Sequence, residues 1–133
     1  LVDRGRTRNP ETDHTMPRNV LPENRIHPSI RQKIAEYNHD IVAEVEAAAA
    51  KHRVLVVGMA QNPYPRKAKK YLTEAGIAFE YLEYGNYMSL WRKRSALKMW
   101  TGWPTFPMIF VDGVLIGGAD DVKALIDAGE LKR

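Results

Sequence analysis

The chain has 133 residues, 44% apolar and 27% charged, which suits one globular domain with a real core and leaves no material for a second. Twenty basic against sixteen acidic residues give a formal net charge of +4, an interspersed bias that argues against nucleic acid as the partner. The absence of cysteine excludes disulfides, thiolate catalysis and Cys-ligated metal or iron-sulfur sites within this chain. With no apolar run of membrane-spanning length and no signal-peptide core, the expectation is a cytoplasmic protein without membrane association.

Residues 1–28 contain four prolines and few large apolar groups, so they are expected to form an extended or disordered arm. Its Arg4, Arg6 and Arg8 either touch an acidic partner or are solvated. From Ser29, a candidate N-cap, the residues Ile30, Ile34, Tyr37, Ile41, Val45 and Ala48 mark one helical stripe. The pattern predicts one long helix over 29–51, packed on the domain's sheet. Its outer part is a candidate homodimer contact.

Next come a buried strand at Val54–Val57, a helix from Pro63 to Ala75 ended by Gly76, and a strand from Ala78 to Glu83. That is one βαβ unit with a right-handed parallel crossover. A helix near Met88–Trp100 leads to strands at Met108–Val111 and Val114–Ile116, joined by Asp112-Gly113, a hairpin-turn dipeptide. Asp120–Ala128 closes as a helix with Gly129 at its C-terminal end.

Little conventional chemistry is legible. His14, His27, His39 and His52 lack metal-ligand spacing, and no Ser-His-Asp arrangement can be read. Most of Tyr64, Tyr81, Tyr84, Tyr87, Trp91, Trp100 and Trp103 are expected in the core, with one or two of the "EYGNYMSLW" aromatics left for a partner or ligand. Arg66, Lys67, Lys69 and Lys70 read as a polar helix face or as a basic rim.

Element order, "NPYP" after the first strand, "WPTFP" before the third and "GGADD" after the fourth together resemble the glutaredoxin family. The resemblance covers 53–131 and implies an α/β thioredoxin-like fold, βαβαββα, with an extra N-terminal helix. In that family a cysteine stands at the helix N-cap, where free N–H groups and the helix dipole lower its pKa. Here Asn62 takes that place, expected to cap the helix through the Tyr64 N–H, with Pro63 at the first helical position. Pro65 replaces the second cysteine and removes another donor. The corner Asn62, Pro63, Tyr64, Pro65 is thus kept as architecture and stripped of redox chemistry.

The same resemblance implies a glutathione groove. Thr105, Phe106 and Pro107 match the Thr-x-Pro loop, with a cis bond before Pro107. Gly117 and Gly118 match the turn that admits the ligand, Ala119 stands where a polar residue is usual, and Asp120 matches the residue meeting its amino group. Arg94 matches the basic residue that pairs the glycyl carboxylate, and Met59 replaces a lysine. Each also has a structural reading: turn geometry for the glycines and Pro107, a cap for Asp120, a solvated helix face for Arg94. The leading expectation is a redox-inactive module that binds glutathione weakly, or a protein partner, and holds no metal. The alternatives are an enzyme using bound glutathione as its thiol, with Tyr64 or Asn62 orienting it, and a pure interaction or assembly subunit.

Overall fold

The computed structural model describes residues 16–133, so Arg4, Arg6, Arg8 and His14 lie outside the described residues. Two compact units are distinguished, one ending at Ile34 and the other spanning Ala35–Arg133.

A 3₁₀ turn, Glu23–Arg25, precedes helix α1, Pro28–Glu36, within which the boundary between the units falls. The cap is not Ser29. Pro28 is already helical, where its missing donor is harmless, and His27 Nδ1 accepts the Ser29 N–H at 3.1 Å.

The single helix expected over 29–51 is two helices, α1 and α2, His39–Lys51. Between them Asn38 adopts the left-handed conformation (φ 44, ψ 39), which Asn tolerates better than other side chains except Gly. The expected stripe is broken with it. Ile41, Val45 and Ala49 of α2 are buried, Ala48 is half-buried, and Ile30 and Ile34 are each 42% exposed. The burial expected along 29–51 is thus carried by α2.

The second unit is built on a four-stranded sheet: β1 (Val54–Gly58), β2 (Glu80–Glu83), β3 (Met108–Val111) and β4 (Val114–Gly117), in the order β2-β1-β3-β4. β1 and β2 are parallel, with Leu55 opposite Glu80; β1 pairs β3 and β3 pairs β4 antiparallel. The crossover is α3 (Pro63–Glu74); α4 (Trp91–Thr101) and α5 (Ala119–Asp127) complete the βαβαββα order implied by the sequence. Both residues of the β3–β4 turn, Asp112 (φ 51) and Gly113 (φ 79), have the positive φ of a type I′ hairpin.

β1 is buried on both faces, which explains its unbroken apolar run. Leu55 and Val57 pack with Ile41, Val45 and Leu97 of α2 and α4. On the other face Val54 and Val56 meet Ala68 and Leu72 of α3 and Val122 of α5. Each large side chain so buried contributes about 1.5–3 kcal/mol. Where β1 ends, Gly58 leaves no room for a side chain, since a Cβ would come within 2.8 Å of Pro65 Cβ and of the Tyr81 hydroxyl. That close approach fixes the strand-to-helix corner.

The aromatic residues depart from expectation. Tyr84 is buried and Tyr81 and Trp103 are half-buried, while Tyr64, Tyr87, Trp91 and Trp100 are exposed. The departure has a local cause: three of those four lie on the β2–α4 turn or α4, whose inward face is already supplied by Arg94, Ala96 and Leu97.

Candidate functional site

Two helix starts and one proline loop converge on the same end of the sheet. Asn62 (φ −97, ψ 124) caps α3, its Oδ1 accepting the Tyr64 N–H at 2.9 Å. Its Nδ2 donates to Phe106 O at 3.3 Å, across to the loop that carries the cis Phe106–Pro107 bond. The amide therefore links the corner to the proline loop and uses both its polar ends in doing so. Pro63 and Pro65 have no N–H, and the one between them is bonded to Asn62, so the first turn of α3 offers no free donor to an anion. Pro65 is fully buried against Gly58.

Beside this corner lies a groove of about 370 Å³ lined by Tyr64, Trp103, Thr105, Phe106, Pro107 and the run Gly118, Ala119, Asp120, Asp121. The loop before it is anchored by Thr101, whose Oγ1 donates to Leu97 O at 2.8 Å and accepts the Trp103 N–H at 3.0 Å. On the far side Gly117 has φ +114, and a Cβ there would collide with the Asp121 carboxylate. That carboxylate takes the Gly118 N–H at 2.9 Å. Asp121 is thus the capping residue, which leaves Asp120 exposed at the groove's edge. Sequence reading weighed Asp120 for both roles and passed over Asp121, although a carboxylate three residues beyond a Gly N-cap is a legible half of a capping box.

The groove therefore gathers Tyr64, Thr105, Phe106, Pro107, Gly118, Ala119 and Asp120. Arg94 is not among them. It is buried, 7% exposed, and its Nη1 donates to Tyr84 O at 2.9 Å and to Ser89 O, so it braces the turn before α4. Burial pushes its pKa down, and backbone carbonyls rather than a carboxylate satisfy it. The carboxylate clamp expected of Arg94 is absent because the side chain turns inward. Met59 is likewise buried in the core and brings no charge. Two cations lie over the groove's wall: Lys67, whose Nζ is 5.0 Å from the Tyr64 ring centroid, and Lys98, missed by sequence reading, whose Nζ is 5.8 Å from that of Phe106. One further polar atom is conspicuous: Trp103 Nε1–H is buried beside Gly118 and has no hydrogen-bond partner.

Known proteins resemble this chain in sequence and in fold. Residues 54–116 match the glutaredoxin family model. A glutaredoxin-like protein of Dictyostelium discoideum is 48% identical over 103 residues, covering 77% of this chain and 84% of the relative. Oxidized glutaredoxin 2 of Chlamydomonas reinhardtii is 28% identical with a TM-score of 0.62, over 71% of this chain and 89% of that structure. The buckwheat glutaredoxin-glutathione complex, 23% identical, shares the fold at a TM-score of 0.63 over 72% and 87% of the two chains. With that sequence match across most of both chains, on a thioredoxin-like α/β fold and without a cysteine, this chain belongs to the glutaredoxin family.

Proposed function

We propose that this chain is a redox-inactive glutaredoxin-like module that binds the glutathione moiety without covalent chemistry. The observation that carries the reading is the groove itself, complete on the side of Pro107 and α5 while the thiol corner is filled by an amide. An amide cannot attack a disulfide, so thiol-disulfide exchange by this chain has no nucleophile.

The groove suits a zwitterionic peptide end. The first amides of α5 and their dipole favour a carboxylate, and the exposed Asp120 carboxylate favours an ammonium group. Lys98 is placed to attract the ligand's other carboxylate. The orphaned Trp103 N–H supports a ligand or ordered water as its acceptor, since buried donors in native sites rarely stay unpaired. Affinity is weak in this reading. Arg94 and Met59 contribute no contact, and Phe106 O is already bonded to Asn62. Each missing charge-assisted bond removes about 1.5–3 kcal/mol, which places the constant in the millimolar range.

The test is chemical-shift mapping during glutathione titration. Saturable shifts confined to 103–107 and 117–121 support the reading; no shift there at high millimolar glutathione refutes it. Tyr64, half-exposed on the groove's wall, favours a second reading in which its hydroxyl orients the thiol of bound glutathione for an enzyme reaction. Turnover of an electrophile that needs both glutathione and the Tyr64 hydroxyl would establish it. Asn62 is not suited to that task because its amide is already engaged at both ends.

A further inference from the structure

The turn between β2 and α4 is heavily braced for a surface loop. Besides the two Arg94 bonds, Asn86 Oδ1 accepts the Met88 N–H at 2.8 Å, and Gly85 O accepts the Ala60 N–H at 2.7 Å. Gly85 (φ +66) could not carry a side chain, since its Cβ would sit 2.7 Å from Ser89 O. This frame holds apolar groups out in water: Met88 is 89% exposed, Tyr87 59% and Trp91 54%. Met99, 57% exposed, lies eight residues along α4 from Trp91 and so on the same face.

Along this stretch of chain the charge has one sign, and the carboxylates beside it, Asp40 and Glu44 of α2, are engaged by Lys93 and by the Tyr84 hydroxyl. From Tyr84 to Val111 there are four cations and no carboxylate, equal to the formal net charge of the whole chain. Lys93 pairs with Asp40 at 3.1 Å and Arg94 is buried. Arg92 and Lys98 are exposed, with Arg92 lying 4.6 Å over the Trp91 ring.

We propose that this turn and the exposed face of α4 form a peripheral docking surface for an anionic lipid bilayer. Met88 and Trp91 enter the interfacial zone while Arg92 and Lys98 meet the headgroups. Charge complementarity selects this occupant. A second copy set symmetrically on the face would oppose cations to cations, and a polyanion such as nucleic acid gains nothing from an apolar Met88. Exposed aromatic and apolar side chains flanked by Lys and Arg are the composition that lies at the headgroup level. No helix among the described residues is long and apolar enough to cross a membrane, which bears on spanning and not on lying against a surface. The proposal shares Lys98 with the glutathione groove but not Met88, Trp91 or Arg92, so the variants at Met88 and Arg92 test it separately.

The experiment is co-sedimentation with phosphatidylcholine vesicles, with and without phosphatidylserine, together with tryptophan emission. Binding is expected only with phosphatidylserine, with a blue shift and loss at high salt. Arg92→Glu and Met88→Asp should each weaken partitioning on the order of tenfold, with thermal melting and glutathione shifts unchanged. The proposal is overturned if anionic vesicles do not bind the protein or if Met88→Asp binds them as the parent does. Tighter binding to single-stranded DNA, indifferent to Met88→Asp, would equally overturn it.

Discussion

Two helices begin at the same end of the sheet, and their first turns differ in one respect that decides what each can hold. α3 starts with Pro63, Tyr64 and Pro65, so two of its first three donors do not exist and Asn62 takes the third. α5 starts with Ala119, Asp120 and Asp121, all with N–H groups, and the Asp121 carboxylate takes only the Gly118 N–H outside the helix. Both helices carry the same dipole. The comparison teaches that a helix N-terminus attracts an anion through the N–H groups it leaves unpaired, and that prolines and a cap can close it while the fold is kept.

The strongest way to break the comparison is at the open end. Gly117→Ala forces φ +114 on an alanine and drives its Cβ into the Asp121 carboxylate, so stability should fall by about 3 kcal/mol in urea unfolding. A loss below about 1 kcal/mol would mean that Asp121 does not fix the α5 start.

The closed end can be reopened. Asn62→Cys places a thiol under a single available donor, the Tyr64 N–H, and Asn62→Cys with Pro65→Ala restores a second. The double variant's thiol pKa, read from thiolate absorbance, should lie about one to two units below the single variant's, since a hydrogen bond to a charged group contributes about 1.5–3 kcal/mol. Equal values would show that the dipole alone sets the thiol. Smaller in scale, Asn62→Ala loses the cap and the bond to Phe106 O and should lower stability by about 1–2 kcal/mol by denaturant titration. At the open end Asp120→Ala should weaken glutathione about tenfold in the shift titration, without altering the melt.

The gentlest test concerns Tyr84, whose N–H bonds Gly58 O at the edge of the closed corner. Burial first, then the hydrogen bond it donates to Glu44 and that carboxylate's charge, push its pKa above the ordinary value of 10.0. A phenol whose folded pKa is raised contributes stability fully below the unfolded value, and that contribution is lost as pH rises past it. Stability should therefore decline above pH 10.0, and less so in Tyr84→Phe. Tyr81, shifted the same way by burial and by Glu83, keeps part of the decline.

The sheet and its helices were legible because period-two and period-3.6 patterns report burial, and β1, buried on both faces, wrote itself as an apolar run. The corner was legible too, since Asn before Pro is a local signal satisfied by local bonds. Arg94 was misplaced because spacing from Thr105 gives its position on α4 and not the direction of a long side chain, which Tyr84 O and Ser89 O draw inward. The break at Asn38 was hidden for the opposite reason. Ile30, Ile34 and Ile41 preserve helical spacing across a residue whose left-handed backbone leaves no trace in hydrophobic pattern.

The contact between Gly58 and Pro65 bears on how the lost chemistry could return. Pro65 fills space that the absent side chain of Gly58 leaves open, and it is fully buried there. A cysteine at 65 would surrender that packing, whereas one at 62 would give up only a cap and a hydrogen bond to a neighbouring loop. A descendant of this sequence regaining a thiol therefore has an easier step toward one cysteine than toward two. The second step carries a loss of packing beside Gly58 that the first does not.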